Sequence, residues 1–378
     1  MQTVLFLSNA SRFQLDPLVE GVRPVARKAH WNLQVIGDVK SHDDVRTLLD
    51  FWHPQGCIIQ NSTRPDLFVD ELFGGLPVVR IDLDPALTRP GDLVVLHDSA
   101  AAGRLAAREL LSLGLSHFAY VRAERDLFWC RERGLAFRES LALNHRSCLI
   151  SEGFNPSQNS DLYRIRAWLA GLPRPIGLFT SNDGVGEMTV AALRELDLSV
   201  PQDVAVVSVD NCENICENMR PTLSSICPDF VRAGALAADL LERKFSDPAL
   251  PGTVLRYGQT GIVRRQSSRR FTGRDARING VLEAIRVQAA DPDFSYEGLA
   301  VAAGCTLRSL EMRFRAATGR TLRDELHEQR VERAKRLLEQ TALPVAEVAV
   351  RSGFRSLATF ARVFGSATGT SPRRWRVR

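Results

Sequence analysis

Short polar side chains stand directly behind apolar runs at several places in this chain. Asn9 follows Val4–Leu7, Asp82 follows Val78–Ile81, and Asp98 follows Leu93–Leu96. Asn182-Asp183 follows Ile176–Thr180, and Asp210-Asn211 follows Val204–Val209. Carboxylates and amides of this kind can accept from and donate to several hydroxyl groups at once. Singly, each could be no more than a helix N-cap, and Asp98 and Asp183 each precede a helical stretch. Together they read as a polar ligand site. Nothing in the chain proposes a reaction. There is no G-x-x-x-x-G-K-[ST] loop, no G-x-S-x-G elbow, no H-E-x-x-H and no G-x-G-x-x-G after a strand. Cys212 and Cys216 lie four apart, but no His or Cys pair completes a metal site. The expectation is a binding protein rather than an enzyme, with no cofactor, no metal and no catalytic residue.

The elements that must position these residues alternate. Apolar runs at 4–7, 33–36, 57–59, 78–81, 93–96, 118–121, 176–180 and 204–209 read as strands. Helical stretches fall between them, for example at 18–29, 100–113, 184–196 and 230–245. Continuous rather than alternating apolar strands predict parallel sheets covered on both faces. Sheets of that kind bind ligands outside the carboxyl ends of their strands. That is where the polar residues fall.

The last hundred residues carry one pattern twice. Leu299-Ala-Val-Ala-Ala-Gly304 is followed by Thr306 to Phe314, and Val348-Ala-Val-Arg-Ser-Gly353-Phe354 by Ser356 to Phe364. A short apolar helix runs into Gly, and a second helix follows with apolar residues at helical spacing. This is a helix-turn-helix pattern. Between the copies, Thr321 to Gln340 holds no Pro or Gly and reads as one helix, with an apolar stripe of Leu322, Leu326, Ala334, Leu337 and Leu338. Thr321 and Asp324 form a capping-box pair at its start. About twenty residues span about 30 Å, close to the roughly 34 Å between successive major-groove faces.

Charge divides along the same boundary. From Arg269 to the end there are 21 Lys+Arg against 12 Asp+Glu, a net of +9, while the first 268 residues carry a net of −4. The tail alone could neutralise phosphates, although Arg-rich helices also serve as plain solvated surface. The start has no basic leader segment, and no run approaches 18 apolar residues. Seven cysteines, an odd number, are scattered through the chain, which suggests reduced thiols. A cytoplasmic, nucleoid-associated protein without a membrane partner is expected.

Residues 278–375 resemble the AraC/XylS family DNA-binding domain along its length. The resemblance rests on Leu299-Ala300, Gly304, Leu310, Phe314, Thr318-Gly319, Arg330, Ala334, Leu337-Leu338, Val348-Ala349, Gly353-Phe354, Phe360, Phe364, Gly369, Ser371-Pro372 and Trp375-Arg376. Trp375 stands where Tyr is usual, and Val348 where Ile is usual. By position, the resemblance implies that Arg308, Ser309, Glu311 and Met312 of the first recognition helix face the groove. For the second it implies Arg355, Leu357, Ala358, Ala361 and Arg362. Arg308 and Arg362 could be bidentate to guanine, Glu311 could accept from a cytosine amino group, and Leu357 and Ala358 offer apolar contact to a thymine methyl.

Residues 1 to about 266 resemble the effector domain of LacI/GalR regulators and periplasmic sugar-binding proteins. The match is clearest at Phe179-Thr-Ser-Asn182-Asp183, Val206-Val-Ser-Val-Asp210 and Leu223-Ser-Ser-Ile226, with Arg133 at the family's pocket Arg. The family's usual Gly is Ser208 here. The resemblance implies two Rossmann-like lobes, crossovers near residues 115 and 228, and a ligand held by Asn9, Asp98, Trp129, Arg133, Asn182, Asp183 and Asp210. The expected division is a sensor at 1–268 and a double helix-turn-helix domain at 269–378. In order and length this fusion resembles the xylose regulators, with Glu20-Gly21, Trp129, Arg133 and Ala136-Phe137-Arg138 also matching. That implies an uncharged monosaccharide such as D-xylose as effector, a double-stranded DNA operator, a homodimer, and RNA polymerase as partner if the protein activates. A non-sugar effector, and a ligand-binding protein with an incidental basic tail, are the alternatives.

Overall fold

The computed structural model describes residues 2–9, 12–60, 66–124, 127–269, 276–291, 293–341 and 343–376. Residues 270–275, next to the expected boundary, lie outside these. The chain divides into two compact units, Met1–Arg270 and Phe271–Arg378.

The first unit alternates strands and helices, as the apolar runs require. It opens with β1 (Thr3–Ser8), α1 (Arg12–Lys28), β2 (Asn32–Ile36), α2 (His42–Trp52), β3 (Gly56–Gln60), β4 (Val78–Ile81) and β5 (Leu93–His97). It continues through α3 (Ser99–Ser112), β6 (His117–Ala123), α4 (Phe128–Ala142), β7 (Leu149–Phe154), α5 (Asn159–Ala170), β8 (Ile176–Thr180) and α6 (Asp183–Glu195). It closes with β9 (Val204–Val209), α7 (Glu213–Cys216), β10 (Ser224–Pro228), α8 (Phe230–Ser246), β11 (Thr253–Tyr257) and β12 (Gln259–Val263).

These strands build two six-stranded sheets, ordered β11-β5-β4-β3-β1-β2 and β12-β10-β9-β8-β6-β7. All pairs in the first are parallel. In the second only β12 runs antiparallel, against β10. The central strands β3, β5, β8 and β9 are buried at every residue, which is why they read as continuous apolar runs.

The chain crosses between lobes three times. α3 packs on α4, β8, β9 and β10 of the second lobe, so the first crossing lies at Asp98 rather than near residue 115. The physical reason is the buried face of α3, where Ala102, Ala106, Ala107 and Leu110 enter the second lobe's core. α8 returns to pack on α1, β4 and β5, which puts the second crossing at Asp229. The third, at Gly258 between β11 and β12, was not expected. The crossings are tied together: the Asp98 amide donates to Tyr257 O at 2.8 Å and the Asp229 amide to Gly258 O at 2.9 Å.

The second unit contains α9 (Ala276–Gln288), α10 (Tyr296–Ala302), α11 (Leu307–Thr318), α12 (Leu322–Gln340), α13 (Val345–Arg351), α14 (Leu357–Thr368) and α15 (Pro372–Arg376). Two small cores share the long α12. Leu322 and Leu326 join Ile285, Leu310 and Phe314, while Val331, Ala334 and Leu338 join Val348, Phe360 and Phe364. The repeat is visible atom by atom. Thr306 and Ser356 cap α11 and α14. Thr318 and Thr368 hydroxyls donate to Phe314 O at 2.7 Å and Phe364 O at 2.8 Å. Gly319 (φ 70°) and Gly369 (φ 69°) end the two helices in the left-handed region. Thr321 and Asp324 form the capping box of α12, and its 19 residues span about 28 Å.

Candidate functional site

A cleft of about 460 Å³ opens between the two lobes of the first unit, lined by Gln60, Asp82, His97, Trp129, Arg133, Asn182, Asp210, Pro228, Phe230 and Tyr257. Gln60, His97 and Tyr257 end β3, β5 and β11, and Asp82 follows β4. Asn182 and Asp210 follow β8 and β9, and Trp129 and Arg133 come from α4. The cleft therefore lies where the carboxyl ends of both sheets face each other.

The first lobe offers a fixed polar set. The Asp82 carboxylate accepts from the His97 amide at 2.9 Å and from the Tyr257 hydroxyl at 2.8 Å. Burial pushes its carboxyl up to about 6, against the pull of those two donors. Burial and then the Arg133 charge push His97 down to about 3, so its ring is neutral, with Nδ1 3.0 Å from Ser99 Oγ. Gln60 Oε1 accepts from the Ser8 hydroxyl at 2.7 Å, which leaves its amide NH₂ as the group for a ligand. Phe230 and Tyr257 stand with ring centroids 6.4 Å apart and give one wall an apolar surface.

The second lobe brings charge. Arg133 Nη1 donates to Ser181 O at 2.6 Å, and Nη2 stands 3.8 Å from Asp210 Oδ1. The guanidinium lies over the Trp129 ring, 4.7 Å from its centroid, a cation–π arrangement. Arg133 Nε is buried without a hydrogen-bond partner. Burial pushes the Asp210 carboxyl up to about 7; Arg133 opposes this, and the Asp183 and Asp82 charges add to it. Asn182 Oδ1 accepts from the Val185 amide at 2.9 Å as the cap of α6, so Asn182 offers a ligand chiefly its donor side.

Of the ligand residues expected from sequence, Trp129, Arg133, Asn182 and Asp210 line this cleft together. Asn9, half-buried after β1, does not. Asp98 does not either: it caps α3 through the Ala101 amide at 2.8 Å and lies 3.6 Å from Arg104. Asp183 is buried behind the cleft, accepting from Ser225 Oγ and the Cys212 amide at 2.7 Å each. Asp98 and Asp183 thus serve elsewhere than in the cleft. Asp82, one of the polar residues behind the apolar runs, also lines the cleft, whereas Gln60, His97, Pro228, Phe230 and Tyr257 were absent from the expected ligand set. Four of them are the last residues of strands, and that position was the available signal.

In the second unit, Arg308, Glu311 and Met312 occupy one exposed face of α11, and Leu357, Ala358, Ala361 and Arg362 one exposed face of α14. Ser309 is half-buried. Arg355, just before α14, is exposed and lies 3.2 Å from Asp293. Met312 is 65% and Leu357 50% exposed. Arg and Glu on such a face can hydrogen-bond to base edges, with apolar contact beside them.

Comparison with known proteins follows the same division. The periplasmic binding protein-like domain matches residues 107–268, and a helix-turn-helix domain matches residues 299–378. The xylose operon regulatory protein of Escherichia coli (strain K12) is 24% identical over 384 residues, covering 99% of this chain and 96% of that protein. A solved structure of the xylose-binding transcription activator xylR superposes with a TM-score of 0.67 at 22% identity, over 100% of this chain and 98% of that one. A LacI family transcriptional regulator from Enterococcus faecium, solved with bound ribose, gives 0.58 at 22% identity over 70% of this chain and 98% of that one.

Proposed function

We propose that this chain, a periplasmic binding protein-like sensor joined to an AraC-type double helix-turn-helix domain, is a sugar-responsive transcription regulator of the xylose-regulator kind. One observation carries the reading. A polar cleft between the carboxyl ends of two sheets occurs in the same polypeptide as two exposed recognition helices. Asp82, Asp210, Arg133, Asn182 and Gln60 supply acceptors and donors for several hydroxyls, and Phe230, Tyr257 and Trp129 supply apolar faces. That combination suits an uncharged monosaccharide, since buried polar groups left unpaired penalise the wrong sugar. Two carboxylates and one guanidinium disfavour a sugar phosphate, whose charge would stand against Asp82 and Asp210. D-xylose is the leading effector, on the similarity to xylose operon regulatory proteins.

Closure of the lobes about the three adjoining crossings would alter how the sensor presents the helix-turn-helix domain. Sugar and DNA would then be coupled by a free energy of about 1–3 kcal/mol. The working form is a homodimer on a double-stranded operator in the cytoplasm, associated with the nucleoid and contacting RNA polymerase as an activator. Among the described residues no helix is long and apolar enough to cross a membrane. Calorimetry of the full chain against D-xylose and a panel of pentoses and hexoses, paired with DNA-binding titrations with and without each sugar, tests the proposal. Binding of no sugar in the panel, or sugar binding that leaves DNA affinity unchanged, would refute it.

A further inference from the structure

Asp183 is 2% exposed and does not line the cleft. It is not the helix cap either, because Asn182 fills that role for α6. Its carboxylate instead gathers donors from the turn after β9. Oδ2 accepts from the Cys212 amide at 2.7 Å and from Cys216 Sγ at 3.3 Å. Oδ1 accepts from the Ser225 hydroxyl at 2.7 Å. Ser225 Oγ accepts in turn from the Asn211 amide at 2.9 Å, so the Ser225 proton must point to Asp183. Two consecutive amides of the turn, at 211 and 212, are therefore held by Asp183, one directly and one through Ser225.

The turn needs holding. Asn211 has φ 52°, which Asn adopts readily, but Asp210 has φ 110°, a value uncommon for any residue with a Cβ. In that conformation Asp210 Oδ1 stands 3.8 Å from Arg133 Nη2 in the cleft. We infer that Asp183 is a positioning residue for the ligand cleft, acting through the 210–212 turn to present the Asp210 carboxylate. The inference rests on the sugar-binding reading for its ligand and on the hydrogen-bond geometry for its mechanism.

A second effect follows from charge. The groups that act on the Asp210 carboxyl are Arg133 from α4, Asp183 from α6 and Asp82 beyond β4. Arg133 favours the ionised form, and the two carboxylates disfavour it. Burial pushes the Asp183 carboxyl itself up, opposed by its Ser225 and Cys212 donors; in its ionised form it both holds Asp210 in place and raises Asp210's hold on a proton. A residue that merely stabilised the fold would not tie the two effects together.

The test uses the full chain and two readouts. In hydrogen exchange of the unliganded protein, Asp183→Asn should speed exchange at the 212 amide by at least about tenfold, the loss of a hydrogen bond to a charged acceptor, and Ser225→Ala should speed exchange at the 211 amide by about fivefold, the loss of a bond to a neutral one. In calorimetry with D-xylose between pH 5.5 and 8.5, both variants should bind more weakly at pH 8. Asp183→Asn should also move the acid limb of the affinity down by about one pH unit, as expected for removal of a nearby like charge. Ser225→Ala, which keeps that charge, should leave the limb in place. Unchanged exchange at the turn would overturn the inference, whichever ligand the cleft takes. So would a limb that stays fixed in Asp183→Asn, or wild-type D-xylose affinity in both variants. Failure of the wild-type protein to bind D-xylose would refute the ligand, and the exchange readout would still decide the role of Asp183.

Discussion

Burial, with two neighbouring carboxylates, holds the Asp210 proton up to about pH 7 against the pull of Arg133. Ionised Asp210 can accept from two ligand hydroxyls, and the protonated form loses much of that capacity. Affinity for D-xylose should therefore fall by about tenfold between pH 8 and pH 6, as the ionised fraction falls through the folded pKa. Calorimetry across that range checks it, and a flat profile would take Asp210 out of contact with the ligand. Stability runs the other way. A carboxyl whose folded pKa lies above its ordinary value binds more protons folded than unfolded, so its contribution falls as pH rises from about 4 to 7. Asp210→Asn should accordingly abolish D-xylose binding. It should also raise the melting temperature of the unliganded protein at pH 8, less whatever Arg133 loses with its partner at 3.8 Å, and lose about half of that advantage by pH 5.5 and the rest by about pH 4. Asp210, Asn182 and Arg133 were legible in the sequence because a polar residue behind an apolar run, and a family pattern, marked them. His97 and Tyr257 were not. Each is the last residue of a strand, and only the pairing of β11 with β5 brings Tyr257 to Asp82, 175 residues away in sequence.

The two recognition helices carry different chemistry on the same geometry. Arg308 and Glu311 on α11 are polar readers, whereas α14 offers Leu357, Ala358 and Ala361 with a single Arg362. Arg308→Ala and Arg362→Ala should each weaken operator binding by about 1–3 kcal/mol and relax sequence preference. Arg373→Ala, on α15, should weaken binding nearly equally on any DNA. Footprints and competition titrations separate these outcomes, and unchanged preference in the first two variants would remove their assignment as base readers. The turns differ as well. Gly304 has φ 63° with nothing within 4 Å of an added Cβ, whereas at Gly353 (φ 86°) a Cβ would stand 2.1 Å from Ala289 O. Gly304→Ala should cost roughly 1–2 kcal/mol in urea unfolding, and Gly353→Ala roughly 2–4 kcal/mol. Equal costs would mean that the second turn is less tightly packed than it looks. Both helix-turn-helix units were readable because their apolar positions repeat at helical spacing. β7, β11 and β12 escaped as half-exposed edge strands: β11 alternates partly buried with exposed residues before Tyr257, and β7 begins with two exposed residues; the interior β10 escaped because Ser224 and Ser225 break its apolar run. Half-exposed strands do not form the continuous apolar runs by which the central strands were found.

At the scale of the whole chain, two units with opposite net charge share one polypeptide, +9 in the tail and −4 before it. The first helix-turn-helix core and the second both close on α12, so the tail has the apolar interior it needs without help from the sensor. Its cationic surplus should make its DNA affinity fall steeply with salt. The sensor has its own cores and a cleft built wholly from its own residues. The first crossing at Asp98 and the third at Gly258 were hidden in the sequence because a crossing is decided by which lobe a helix or strand packs on, and packing partners are not local. These facts make the division of labour testable. Residues 270–378 alone should bind operator DNA with a steep salt dependence and no response to D-xylose. Residues 1–268 alone should bind D-xylose and ignore DNA. In the full chain, saturating sugar should change DNA affinity by about 5–150-fold, and operator DNA should change sugar affinity by the same factor, because coupling between two binding sites is reciprocal. Measuring both directions on one preparation is the decisive check. Unequal factors would mean that a third equilibrium, such as self-association, intervenes, and a sugar response from the isolated tail would place the sensor on the wrong side of the boundary.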